Sequence, residues 1–205
     1  YGTILYAICE PDMDILKILT NEKNDYVTIQ LWNFITEKKL LKEMGAVENF
    51  LHEAKTPENQ CEGLKYLAEY SADPDKVEQL KKICSDNEPI LKTILASSLA
   101  KRSDGKGISL LATLSDDKAV PVRTQVAQSL FISPEINKIL LKLSSDTDFE
   151  VRRLSTINLA NYKNPETVEA LIARLTDENF FVRTDAEDSI IKINPGKSFI
   201  EKIAC

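Results

Sequence analysis

The sequence repeats itself at intervals of about 30 residues, and this periodicity constrains the fold more than any other feature. In three copies an apolar run ends, a short turn rich in Ser, Thr and Asp follows, and the chain continues with Val-Arg. These copies are Leu111–Arg123, Leu140–Arg152 and Ile172–Arg183. A fourth copy, Leu80–Lys92, has Leu-Lys in place of Val-Arg. Such a period is typical of stacked two-helix units that share one continuous core.

The apolar spacing within each copy predicts helices. We name the apolar residue before the basic one the marker; the four markers are Leu91, Val122, Val151 and Val182. Eight residues after each marker comes another apolar residue: Leu99, Leu130, Leu159 and Ile190. Eight residues make about two helical turns, so each marker and its partner should share one buried face. Weaker copies cover Ile15–Val27 and Phe50–Cys61.

Prolines mark the predicted helix boundaries. Pro57, Pro89 and Pro121 fall in the first turn of a second helix, where a missing N–H costs little, and Pro74, Pro134 and Pro165 fall between repeats. No useful length of strand-like alternation is present. We therefore predict an all-α fold, a right-handed α-solenoid of about six two-helix repeats forming a single domain over residues 1–205. The predicted repeats are 12–37, 40–70, 75–102, 106–131, 135–162 and 166–193, with a capping helix at 197–204.

The Asp…Val-Arg pattern resembles the HEAT-like repeat family, and its length is closest to the short repeats of phycobilin-lyase-type HEAT proteins. The resemblance is sharp over residues 80–193 and loose over 1–79, where Gly45–Leu51 is similar to part of an armadillo repeat. Similar repeats serve as adaptors, transport receptors, kinase and phosphatase scaffolds and, in a few cases, lyases. The resemblance therefore implies a fold more than an activity.

The turn aspartates and the basic residues that follow the markers recur in register. Asp86, Asp117, Asp146 and Asp177 each lie six residues before Lys92, Arg123, Arg152 and Arg183. This register is compatible with a phosphate-binding ladder or with a structural one. In the structural interpretation each Asp accepts hydrogen bonds at the start of a second helix, and the Arg or Lys ties its repeat to the aspartate of a neighbour. We expect the structural ladder.

Charge and cysteine usage exclude several classes of protein. The net charge is −6, all of it in residues 1–100, whereas residues 101–205 are neutral and contain every arginine. An acidic first half repels phosphate backbones, so nucleic acid is an unlikely partner, although a local basic groove in the second half stays open. The cysteines are scattered, which favours a reducing, intracellular and cytoplasmic setting and indicates no metal site. No apolar run reaches the roughly 18 residues needed to cross a membrane. Numbering from Tyr1 favours a piece of a longer or processed polypeptide.

No residue pattern indicates catalysis or a cofactor. His52 is the single histidine and is expected at the edge of an apolar face, while Trp32 is expected in the core. Gly105-Lys106-Gly107 lacks the spacing of a nucleotide-binding loop and is expected to form a turn between repeats. We therefore predict a protein that is not an enzyme and binds no cofactor.

The second helices of stacked pairs normally line one surface, so we expect binding there. The residues two and six positions after each marker point away from the apolar seam; they are Thr93, Ser97, Thr124, Gln128, Arg153, Ile157, Thr184 and Asp188, with Gln125, Leu154 and Asp185 at the edge. The predicted function is a scaffold or adaptor that binds a peptide or protein there, with Arg153 as an anchor. The oligomeric state is left open. The alternatives are an enzyme of the chromophore-lyase or DNA-glycosylase type and a nucleic-acid backbone binder using the arginine-bearing half.

Overall fold

The computed structural model describes residues 15–38, 44–54, 56–86 and 88–193. These residues form twelve α-helices in six consecutive pairs and no strand. The helices are α1 Ile15–Asn21, α2 Asp25–Lys38, α3 Met44–Glu53, α4 Pro57–Tyr70, α5 Glu78–Ser85, α6 Pro89–Ala100, α7 Ile108–Leu114, α8 Val120–Ala127, α9 Pro134–Leu143, α10 Phe149–Leu159, α11 Pro165–Arg174 and α12 Phe180–Ile193. A 3₁₀ turn, Pro74–Lys76, precedes α5.

Three helices begin with the same short sequence signal, a capping side chain followed by proline. Thr56 caps α4, Ser133 caps α9 and Asn164 caps α11, and each side-chain oxygen accepts a hydrogen bond from the N–H three residues later. The cap satisfies an N–H that the first helical turn leaves unpaired, and the proline lacks an N–H that would need a partner. Proline therefore opens first helices as well as second helices in this chain.

The chain divides into two compact units, Tyr1–Leu95 and Ala96–Cys205. In the first unit α1 packs on α3, and α2 and α3 pack on α4. Trp32 is in the core, as predicted, with 1% of its surface exposed. Its Nε1 donates to Asn59 Oδ1 at 3.1 Å, and Asn59 Nδ2 donates to the Leu19 carbonyl at 3.1 Å. One amide side chain thus joins α1, α2 and α4 inside the core.

In the second unit three helix pairs stack in register. The first helices α7, α9 and α11 pack on one another in sequence, and so do the second helices α8, α10 and α12. The markers Val122, Val151 and Val182 are fully buried, as the periodicity predicts. The predicted fold class, an all-α solenoid of two-helix repeats, is confirmed in the described residues.

Hydrogen bonds between equivalent positions hold successive repeats of the second unit together. Asn158 Nδ2 donates to the Ala127 carbonyl at 2.7 Å, and one repeat later Ser189 Oγ donates to the Thr156 carbonyl at 3.1 Å. Between the first helices, the Thr167 hydroxyl donates to Asn137 Oδ1 at 3.1 Å. Each of these contacts spans about one repeat length, so the sequence period is also a spatial period.

The prediction that Leu130 is buried beneath Val122 is wrong. Helix α8 ends at Ala127, so the two-turn spacing no longer applies three residues later, and Leu130 is 66% exposed. The Leu130 N–H turns back and donates to the Ala100 carbonyl at 2.9 Å. The side chain that packs back is Phe131, whose ring lies over Gly105, a turn residue with a φ of +71°. A Cβ at position 105 would lie 2.5 Å from that ring.

The continuous domain over residues 1–205 stays a prediction, and so do its repeat boundaries. The predicted capping helix at 197–204 lies outside the described residues.

Candidate binding surface on the second helices

Two arginines each hold the turn aspartate of the following repeat through paired hydrogen bonds. Arg123 Nε and NH2 lie 2.7 Å and 2.8 Å from the two carboxylate oxygens of Asp146. Arg152 holds Asp177 in the same way, with both distances 2.9 Å. Each NH1 also donates to carbonyls of its own turn, Asp117 in the first case and Asp146 in the second. Each guanidinium group therefore connects its own turn to the next one.

Each turn aspartate also accepts a backbone hydrogen bond from the turn that precedes the second helix. One oxygen of Asp117, Asp146 and Asp177 accepts the N–H two residues later, at 2.8, 2.9 and 3.0 Å. The residue that caps α10 is Asp148, whose side chain accepts the N–H groups of Glu150 and Val151. The ladder aspartates thus shape the turn and leave the helix cap to another residue, a division that the sequence alone does not indicate.

The paired groups are charged where they lie. Burial acts to raise the pKa of Asp146 and of Asp177, but the arginine and turn N–H groups that bind each carboxylate bring it below its ordinary value. Hydrogen bonds with these carboxylates raise the pKa of Arg123 and of Arg152. Arg152 has all five of its N–H donors occupied, since NH1 also binds the Thr147 carbonyl and NH2 also binds Glu178. These arginines are therefore poorly placed to bind phosphate groups.

The remaining ladder positions differ from these two pairs. Lys92 is buried in α6 and Asp86 is half-buried directly after α5. Arg183 repeats the contact with its own turn, since its NH1 lies 2.7 Å from the Asp177 carbonyl and 3.0 Å from the Glu178 carbonyl. Its place in the ladder is therefore set by the same turn geometry as that of Arg123 and Arg152.

The structure brings most of the predicted binding positions onto three neighbouring helices, because α8 packs on α10 and α10 on α12. Gln128, Ile157, Thr184 and Asp188 are exposed, and Thr124, Gln125, Arg153, Leu154 and Asp185 are half-buried. Gln128 lies just past the end of α8, as its C-terminal cap. Thr93 and Ser97 are half-buried on α6, with Thr93 in the first unit and Ser97 in the second.

A row of apolar residues at the start of each second helix extends this surface, and the sequence analysis missed it. Val120, Phe149 and Phe180 lie two residues before the markers and four before Thr124, Arg153 and Thr184, so they share a helix face with them. Phe149 is 44% exposed and Phe180 is 63% exposed. An apolar residue two positions before three successive markers is the sequence signal for this row. We name the combined set the second-helix stripe: Val120, Thr124, Gln128, Phe149, Arg153, Ile157, Phe180, Thr184 and Asp188.

Arg153 is not an isolated cation on the stripe. Its NH1 lies 3.1 Å from Glu150 Oε1, and its Nε lies 3.1 Å from Asp185 Oδ2. Burial raises the pKa of Asp185; the nearby carboxylates of Asp188 and Glu150 add to the shift, and Arg153 opposes it. The predicted anchor therefore lies in a cluster that contains more carboxylates than cations.

The threonines of the stripe present methyl groups more than hydroxyl groups. The hydroxyl of Thr124 donates to the Val120 carbonyl at 2.9 Å, and that of Thr184 donates to the Phe180 carbonyl at 3.2 Å. Thr93 does the same to the Pro89 carbonyl at 2.7 Å. A hydroxyl that serves its own helix has less to offer a ligand, so the stripe is more apolar than its residue types suggest.

Other sites give little indication of catalysis. A cleft of about 520 Å³ lies between α1 and α3, and one of about 350 Å³ lies beside the Arg123–Asp146 pair. Burial raises the pKa of the Cys61 thiol, although Lys65 opposes the shift, and activated thiols have the opposite perturbation.

Within the described ranges, no three His, Cys, Asp or Glu residues are grouped so as to hold a metal ion. None of the helices in these ranges is long and apolar enough to span a bilayer.

Comparison with known families agrees with this geometry. Residues 130–191, which contain α9, α10, α11 and α12 as far as Ile191, match the family model for HEAT repeats. A comparison with curated proteins finds no match. Residues 130–191 therefore carry HEAT repeats, and the HEAT-like resemblance predicted from the sequence is confirmed there.

Proposed function

We propose that this chain is a protein-interaction scaffold whose second-helix stripe binds an extended segment of another protein. HEAT repeats commonly serve as such scaffolds. The observation that carries the proposal is the exposure of Phe149 and Phe180 at the same position of adjacent helices. Large aromatic side chains that stay exposed in neighbouring repeats are typical of protein-binding surfaces.

The spacing of the stripe favours an extended peptide that crosses the helices. Packed helices lie about 8–10 Å apart. A peptide in the polyproline II conformation rises about 3.1 Å per residue and has three residues per turn, so every third side chain faces the same way and meets the next helix. A peptide with apolar side chains at positions i and i+3 would therefore place one beside Phe149 and the next beside Phe180.

The charges at one end of the stripe favour a basic residue in the bound segment. Asp188 is exposed at the far end of α12, and Glu187 is exposed beside it. At the centre, Arg153 is already matched by Glu150 and Asp185, so an acidic peptide side chain would have to displace an existing ion pair. The proposed ligand is thus apolar at i and i+3 with a Lys or Arg near the α12 end.

A matched pair of variants tests this proposal. The test variant, Phe149→Ala with Phe180→Ala, removes exposed apolar surface from the stripe. The control variant, Leu130→Ala with Ile132→Ala, removes exposed apolar surface of the same unit from residues that are not part of the stripe. Peptides drawn from proteins captured by the wild-type chain would be measured by fluorescence anisotropy. We expect the phenylalanine variant to bind at least tenfold more weakly and the control to bind as the wild type does. Equal affinity in both variants would remove the stripe as the binding surface.

Binding to a nucleic-acid backbone is less well supported. Such binding needs several arginines that are available to phosphate, whereas Arg123, Arg152 and Arg153 are each paired with carboxylates. Arg183 binds backbone carbonyls instead, but a single such arginine does not make a phosphate-binding ladder. The chain could be tested for retention on immobilised DNA. Retention that weakens with salt and is lost in Arg153→Gln would favour nucleic-acid binding over peptide binding.

A further inference from the structure

Arg183 is held in the pose of the ladder arginines but lacks the carboxylate that the other two bind. Its NH1 binds the carbonyls of Asp177 and Glu178, as the NH1 of Arg152 binds those of Asp146 and Thr147. The opposite edge of the Arg152 guanidinium, formed by Nε and NH2, binds the Asp177 carboxylate of the following repeat. Among the described residues, no carboxylate binds that edge of Arg183. The last ladder arginine among the described residues is thus already oriented to receive one.

The helix face around Arg183 is the face that the preceding repeat buries. The residues one, five and nine positions after the α10 marker are Arg152, Thr156 and Ala160, the last being the C-terminal cap; α12 packs on α10, and all three residues are buried. The equivalent residues after Val182 are Arg183, Glu187 and Ile191. Here Arg183 is half-buried, Glu187 is exposed and Ile191 is 68% exposed. We name these three residues the end face.

We infer that the end face docks a two-helix unit of another protein that carries an aspartate in the turn between its helices. The face continues the interface that joins α8 to α10 and α10 to α12, which fixes the geometry of what fits it. Charge complementarity then requires a carboxylate opposite Arg183. This surface adjoins the second-helix stripe, since the Arg183 guanidinium lies 5.8 Å from the Phe180 ring centre, and it goes beyond the proposed scaffold function.

The established interface also specifies a second feature of the partner. Asn158 and Ser189, each seven residues after its marker, donate to the carbonyl five residues after the marker of the preceding repeat. On the end face the corresponding carbonyl belongs to Glu187. The docked unit should therefore carry Asn or Ser there, with a small or apolar side chain beside Ile191.

A peptide of this chain supplies a defined probe. Residues 134–162 form α9 and α10 and contain both groups in question, Asp146 and Asn158. The labelled peptide, joined end to end by a disulfide between added terminal cysteines and shown to be helical by circular dichroism, would be titrated with the full chain, and binding would be followed by fluorescence anisotropy. We expect saturable binding that weakens about tenfold when the chain carries Arg183→Gln, or when the peptide carries Asp146→Asn, with little further loss when both are changed. Lys163→Gln, which removes an exposed charge elsewhere in the same unit, should leave the affinity unchanged.

Several outcomes would overturn the inference. One is failure of the unmodified peptide to bind, and another is equal binding by the Arg183→Gln chain. If Arg183→Gln lowers the melting temperature as much as Arg152→Gln does, the carboxylate belongs to the same chain. If sedimentation shows self-association that Arg183→Gln abolishes, the occupant is a second copy. Retained thermal stability, a monomeric chain and charge-dependent peptide binding together would support it.

Discussion

Arg152 and Asp177, 25 residues apart in the chain, form a two-pronged ion pair in which Nε–Oδ2 and NH2–Oδ1 are both 2.9 Å. Only 7% of the arginine side chain and 4% of the aspartate side chain are exposed. The same guanidinium binds two carbonyls of its own turn. One side chain therefore fixes the shape of one turn and the distance to the next, and removing it should affect both.

We predict that Arg152→Gln lowers the free energy of unfolding by about 3 kcal/mol, because it removes both short hydrogen bonds to the buried Asp177 carboxylate and leaves only Arg174, whose NH1 lies 3.5 Å away. Urea unfolding followed by circular dichroism would measure the change. The adjacent Arg153→Gln is the matched control, since Arg153 is 30% exposed and its ion pairs should contribute no more than about 1 kcal/mol. Similar losses in the two variants would show that the buried pair has no special role.

Acid should destabilise the protein through the same aspartates. The folded-state pKa values of Asp146 and Asp177 lie below the ordinary 3.8, so the unfolded chain binds more protons as the pH falls past that value. Their contribution is complete above about pH 5 and is lost progressively at lower pH, through the folded-state pKa values. Unfolding free energies between pH 6 and pH 2.5 should fall less steeply for Asp146→Asn than for the wild type. An unchanged slope would contradict this assignment.

Asn59→Ala should destabilise the first unit by about 2 kcal/mol, because it leaves the Trp32 indole N–H buried without a partner and removes the side-chain hydrogen bond to the Leu19 carbonyl. Trp32 is the single tryptophan, so its fluorescence reports the unfolding of this unit directly. Asn33→Ala, at an exposed position of α2, serves as the control and should change stability by less than about 0.5 kcal/mol. A wild-type midpoint for Asn59→Ala would show that the buried hydrogen bonds contribute little.

Gly105→Ala should destabilise the second unit by about 2 kcal/mol, from its positive φ and from the contact with the Phe131 ring. Asparagine tolerates a positive φ better than alanine does but has the same Cβ. We therefore expect Gly105→Asn to be destabilising too, and Phe131→Ala to reduce the cost of either substitution in a double-mutant cycle. Full recovery by asparagine alone would mean that the ring contact is unimportant.

Local patterns in the amino-acid sequence are enough to specify the two-helix repeat. A 30-residue period, buried markers two helical turns from their partners, and prolines at helix starts are local signals, since they depend on helix geometry and on residues near one another in the chain. Val151 and Leu159 illustrate how well such signals locate a buried face. The register of aspartates and arginines was also visible, because each pair recurs at a constant spacing.

Which side chains contact one another, and which stay exposed, depends on how the helices pack in three dimensions. Leu130 fits the period but is exposed, because α8 stops at Ala127 and the backbone bond to Ala100 redirects the chain. Phe149 and Phe180 resemble core residues in the sequence, yet the stacking of the helices leaves them on the surface. The partners of each ladder arginine depend on the repeat that packs beside it. Where a following repeat is present, the arginine binds the aspartate of that repeat as well as its own turn. Arg152 and Arg183 have the same position in their repeats, and the neighbouring repeat makes the difference.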